Sequence, residues 1–157
     1  MQELIIGATM LGCVVAFRYV RQYHHRQRFH RWWKTANERL SENDVAGAEA
    51  ALRRCVRLEP LWAPVRGLLA ATLVNQGKMD EAEAEFTMVV RLHPKAPEGH
   101  IELGLFYAMC HDDRLDEAIA SFQSAIECEP KVRELLAREP RLAALREVPE
   151  FQALLAS

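Results

Sequence analysis

The stretch VAGAEAALRRCVRLEP (residues 45–60) returns as MDEAEAEFTMVVRLHP (79–94) and as LDEAIASFQSAIECEP (115–130). Each copy carries an Ala, a Leu or Phe four residues later, and a Pro eight beyond that: Ala48, Leu52 and Pro60; Ala82, Phe86 and Pro94; Ala118, Phe122 and Pro130. Residues at i and i+4 share one face of a helix. Proline ends a helix, because it has no N–H and its ring clashes with the preceding turn. Each copy therefore reads as a helix with a small and a large apolar residue on its buried face. The copies stand 34 and 36 residues apart, room for one more helix in each interval. A fixed period of this length predicts stacked helical hairpins and an all-α solenoid.

The pattern resembles the tetratricopeptide repeat (TPR) family. The resemblance covers about residues 29–130, with repeats at about 29–62, 63–96 and 97–132. It implies that the Ala sits where the two helices of a hairpin cross, that the large apolar residue fills the gap between hairpins, and that a right-handed solenoid results. In the first helices, Trp32 and Ala36, then Leu69, Ala70 and Leu73, then Leu103, Gly104 and Tyr107 take the family's template positions. Gly104 inside a helix costs about 1 kcal/mol against Ala, and close approach of a neighbouring helix is the expected compensation. Local signals mark the element ends. Asp44 is a candidate N-cap, Pro64 suits a first turn, residues 75–78 make a turn, and Asp80 with Glu83 suggests a capping box.

The chain has 157 residues, half of them hydrophobic, and a formal net charge of −2. That is enough for one modest domain and an extra segment. Charge is uneven. Arg18, Arg21, Arg26, Arg28, Arg31 and Lys34 face only Glu3 in residues 1–34, a balance of +5 that leaves −7 for the rest. A basic end on an acidic body suggests contact with a membrane or a polyanion at that end only.

Residues 4–17 carry no charge. With Tyr19, Val20 and Tyr23 they extend to a helix of roughly 30 Å, long enough for a bilayer if Arg18 and Arg21 snorkel. The expectation is an uncleaved transmembrane anchor over residues 1–23, followed by a basic juxtamembrane segment (24–34) that merges into the first repeat. Positive charge after the apolar run places the N-terminus outside and the repeats in the cytoplasm. A cleaved signal is disfavoured because no Lys or Arg precedes the run. No Pro or Gly falls between Gly12 and Gly47, so the first helix is expected to continue unbroken into the repeat.

Cys13, Cys55, Cys110 and Cys128 form no CxxC pair. Buried, reduced thiols are expected rather than zinc ligands or disulfides. His24, His25 and His30 lack a carboxylate or thiol companion at ligand spacing, so no metal is expected. The 111–113 segment, His-Asp-Asp, reads as a loop tip. Aromatics arranged for base stacking are missing, and nucleic acid is not an expected partner. The chain has no G-x-S-x-G, phosphate loop or H-E-x-x-H, so neither an enzyme nor a cofactor is predicted. Residues 131–157 keep a helical apolar spacing broken by Pro140 and Pro149. They are expected to cap the open end of the solenoid.

The resemblance also implies a concave groove lined by the first helix of each hairpin. It assigns Trp33, Asn37 and Leu40, then Ala71, Val74 and Asn75, then Ile101, Leu105, Ala108 and Met109 to that face. A chiefly apolar surface with two Asn side chains suits a peptide or helix. The basic residues with which some TPR domains clamp acidic chaperone tails are missing from the matching positions, where only Asn37 agrees, so such tails are not expected as ligands. The functional expectation is a membrane-anchored adaptor. The alternatives are a subunit of a membrane complex and a receptor for targeting segments.

Overall fold

The computed structural model describes the backbone of residues 2–110 and 114–156, and the side chains of residues 17–110 and 114–156. Among the described residues there are eight α-helices, one 3-10 helix and no strand. The chain divides into two compact units, Met1–Pro60 and Leu61–Ser157.

The first unit is one hairpin. Helix α1 (Gln2–Ser41) is 40 residues long and runs unbroken into the repeat, where it packs on α2 (Val45–Leu58). The turn between them forms because Asn43 takes the left-handed region at φ 58°, which Asn tolerates better than most residues. Asp44 then caps α2, its carboxylate accepting from the Gly47 amide at 2.9 Å. Arg39 braces the same turn, 3.2 Å from Asp44. Ala36 and Ala48 are fully buried, beside buried Phe29, Ala51, Leu52 and Cys55. At the open end of the hairpin His25 lies 3.4 Å from Glu59. On its flank the Arg54 guanidinium sits 5.5 Å from the Trp32 ring, a cation–π contact.

The second unit holds two further hairpins and a C-terminal extension. Helices α3 (Ala63–Val74) and α4 (Met79–Leu92) form one pair, α5 (Pro97–Cys110) and α6 (Leu115–Cys128) the next, and α4 packs against α5. Proline starts α3 as expected. Gly77, at φ 73°, closes the α3–α4 turn, a conformation that costs glycine nothing. Ala82 and Ala118 are fully buried, as are Leu69, Ala70 and Leu73. Phe86 meets Phe106 at 5.5 Å between ring centres. A Cβ on Gly104 would fall 2.5 Å from the Phe122 ring, so the expected close approach is real and fixes that position as Gly.

Polar groups reinforce the stack. Arg66 on α3 reaches Glu85 on α4 at 2.6 Å. Glu83 on α4 accepts from the Tyr107 hydroxyl and from Arg114, both at 2.8 Å, and Arg114 also lies over the Tyr107 ring. This arrangement corrects the expected capping box. Lys78, not Asp80, is the N-cap of α4, with no side-chain cap bond, because Glu83 serves the next hairpin instead of its own helix start. Beyond α6, α7 (Val132–Arg138), a 3-10 helix (Pro140–Glu147) and α8 (Pro149–Ala156) fold back on α5 and α6. Phe151 is fully buried 5.9 Å from Phe122. The extension thus covers the apolar face that α6 would otherwise expose.

The expected membrane-spanning helix is not found: among the described residues no helix is long and apolar enough to cross a membrane. The side chains of residues 4–16, on which that expectation rests, lie outside the described residues, as does the 111–113 segment expected to form a loop tip. A second correction concerns the thiols. Cys55 is buried, but Cys110 is half-buried and Cys128 is exposed. Both fall near the ends of their helices, where the apolar face runs out.

Candidate partner-binding groove

Within the second unit α3 and α5 each turn one face outward, and two hollows lie between them. The first, about 160 Å³, gathers Ala71, Val74 and Asn75 of α3 and its C-cap with Leu105 and Met109 of α5. Five residues assigned from sequence are therefore brought together. Leu105 is 2% exposed and forms the floor with Phe86, whereas Met109 stands out at 56%. Ile101 and Ala108 of α5 are half-buried and do not line the hollow. Asn75 presents an exposed amide at the rim.

Five lining groups were not assigned to the groove from sequence: Phe86, Glu102, Phe106, Cys110 and Arg141. Glu102 and Phe106 lie on α5 beside the assigned positions. Arg141 comes from the 3-10 helix, beyond the repeats, and no repeat template reaches it. Its guanidinium is held by Glu139 at 2.8 Å and 3.2 Å. That pairing raises the Arg141 pKa and holds the Glu139 carboxyl below the usual range. Burial pushes the Cys110 thiol up, so it is a poor nucleophile at neutral pH.

The second hollow, about 370 Å³, lies toward the N-terminal ends of the same helices. Ala63, Pro64 and Gly67 line it from α3, Phe86 and Val89 from α4, and Glu98, Gly99 and Glu102 from α5, with His93 and Ala96 from the connecting loop. None of these except Phe86 and Glu102 belongs to the first hollow.

The assigned residues of the first hairpin, Trp33, Asn37 and Leu40, lie along one face of α1. Trp33 and Leu40 are half-buried. Asn37 is exposed, but its amide donates to the Trp33 carbonyl at 2.7 Å, so one of its donors is spent within the helix. The basic residues Arg18, Arg21, Arg26, Arg28, Arg31 and Lys34 are all exposed. Among the described residues no group of three or more His, Cys, Asp or Glu could hold a metal ion.

Tandem helical hairpins with a capped end and an apolar cleft between successive first helices define an α-solenoid repeat protein. Residues 39–101 match the sequence model of the tetratricopeptide repeat family, and solved TPR structures share the fold. MamA superposes with a TM-score of 0.60 at 21% identity over 68% of this chain, which spans only 61% of the MamA chain. The first TPR of Spaghetti (RPAP3), solved with the HSP90 peptide SRMEEVD, gives 0.61 at 17% identity, covering 83% of this chain and 95% of that one. The Yersinia enterocolitica type III secretion translocator chaperone SycD gives 0.57 at 16%, covering 80% and 90%. At such identities the likeness is one of fold. Comparison with curated proteins gives no significant match.

Proposed function

We propose that this chain is a non-catalytic adaptor that holds a peptide or helix of a protein partner between α3 and α5. One observation carries the reading: Met109 stands exposed above an apolar floor of Leu105 and Phe86, at the outward faces of two successive first helices. An exposed Met over buried apolar residues is a surface suited to a partner side chain. The test is affinity purification with the full chain and with Met109→Asp. A partner retained by the first and lost by the second, at an unchanged melting temperature, supports the reading. Equal recovery by both removes the groove from the interaction.

The acidic peptide seen with RPAP3 is a weak guide to the ligand here. Among the described residues Arg141 is the one cation lining the first hollow, and Glu139 already engages it through two hydrogen bonds. Little positive charge is left to meet a carboxylate.

A membrane tether forms a second part of the proposal. Phe17, Tyr19, Val20 and Tyr23 are 50–72% exposed and alternate with exposed Arg18 and Arg21. Aromatic and basic side chains exposed together on one stretch of helix suit a bilayer interface. They follow the uncharged run of residues 4–17, and the proposal puts the repeats on the cytoplasmic side. Flotation with phosphatidylserine-containing vesicles tests the tether. The full chain should float in high salt, and a chain lacking residues 1–23 should not. Partners lost together with the tether would favour a subunit of a membrane complex over a free adaptor.

A further inference from the structure

We propose that the groove, read as above, selects a cationic partner: a segment of another protein that places an apolar side chain in the larger hollow and a Lys or Arg against Glu98 and Glu102.

Gly67 is the first reason. It lies inside α3, where glycine weakens a helix relative to alanine. Gly104 has a neighbour that demands its size, but a Cβ built on Gly67 meets nothing within 4 Å. Nothing in the fold needs Gly67 to be small. Its missing side chain instead enlarges a hollow already walled by Ala63, Gly99 and Ala96, and glycine serves where another chain's atoms must come close to a helix backbone.

Charge is the second reason. Among the described residues the lining of this hollow holds two carboxylates and His93, with no Lys or Arg. Glu98 and Glu102 are both exposed and stand one turn apart on α5, so they share a face. Glu98 lies in the first turn, where the helix dipole favours it. Glu102 lies a turn further on, and the cation that acts on it, Arg141, is already bonded to Glu139. A like-charge i, i+4 pair is mildly unfavourable in an isolated helix. A cation from a partner relieves it.

The experiment is peptide binding to the full chain by fluorescence anisotropy at low salt. The probes are two synthetic amphipathic peptides with one Leu/Phe face, differing only in Lys or Glu on the flanks, and a third peptide copying residues 17–34 of this chain. The Lys probe should bind about tenfold tighter than the Glu probe, a gap that narrows as salt is added. Glu98→Gln with Glu102→Gln should cut that preference to about threefold or less. Gly67→Leu should abolish binding while helicity by circular dichroism is kept. Equal binding of the Lys and Glu probes, or no effect of the glutamine pair, overturns the charge selection. If Gly67→Leu still abolishes binding in that case, the groove stands without it. Unchanged binding by Gly67→Leu overturns the groove reading itself. Tightest binding by the 17–34 peptide would make the occupant a second copy of this chain and overturn the assignment to another protein.

Discussion

Two thiols of one chemical type sit in opposite surroundings. Burial with no compensating charge pushes the Cys55 thiol up to about 11, while Cys128 lies exposed at the end of α6. A thiolate is the reactive form, so a maleimide at neutral pH should label Cys128 within minutes and Cys55 only after denaturant is added. Site-resolved mass spectrometry checks this, and early labelling of Cys55 would put the first hairpin's core in error. Glu117 makes a pH test. The Arg114 side chain beside it holds its carboxyl below the usual range. The unfolded chain therefore takes up the proton first, and the stabilisation present at neutral pH is lost as pH falls through the lowered pKa. The denaturant midpoint of the wild type should drop between about pH 6 and about pH 3, and Glu117→Gln should drop less over the same range. The effect is small because the group is exposed. Residue identities showed some of this in advance. Asp44 as a cap and Gly104 as a contact follow from local rules of spacing and size. That Cys110 and Cys128 lie outside the core does not, since apolar character cannot say where a buried face ends.

At the scale of elements, two glycines in matching helices should respond with opposite signs. Gly104→Ala drives a methyl into Phe122, and overpacking of this kind costs about 1–3 kcal/mol. Gly67→Ala meets open space and should stabilise α3 by up to about 1 kcal/mol. Paired thermal melts decide it. Ala82→Leu belongs to the same set: Ala82 is fully buried at the α3–α4 crossing, and a loss of about 1–3 kcal/mol is expected. The helices and their register were readable from the Ala, Leu/Phe and Pro triplets, because packing at a hairpin crossing imposes itself on the residues that touch. The lining of the groove was readable only in part. Ala71, Val74, Asn75, Leu105 and Met109 follow from repeat position. Arg141 does not, as it enters from a 3-10 helix outside the repeat. Nor does the role of Glu83, whose partners Tyr107 and Arg114 lie 24 and 31 residues away. Such pairings depend on how hairpins stack, and no local pattern encodes them.

At the largest scale, the stacked hairpins of the second unit and their cap follow from one requirement. Every hairpin leaves an apolar side that the next element must cover. Phe151 meets that need at the C-terminal end, and Phe151→Ala should cost about 3–5 kcal/mol, seen as a lower denaturant midpoint. The polarity of the hollows was not visible in net charge, since a −7 body does not say where its carboxylates gather.

The length of α1 has a mechanical consequence. At about 1.5 Å per residue its 40 residues reach about 60 Å, and only its C-terminal part is clasped by α2. The remainder is a shaft without a joint, so whatever grips the far end also sets the heading of the first hairpin. Inserting a single alanine between Tyr19 and Tyr23 would swing one end about 100° around the axis relative to the other, while four would restore nearly the original phase. If heading matters, one added residue should impair activity in the cell more than four.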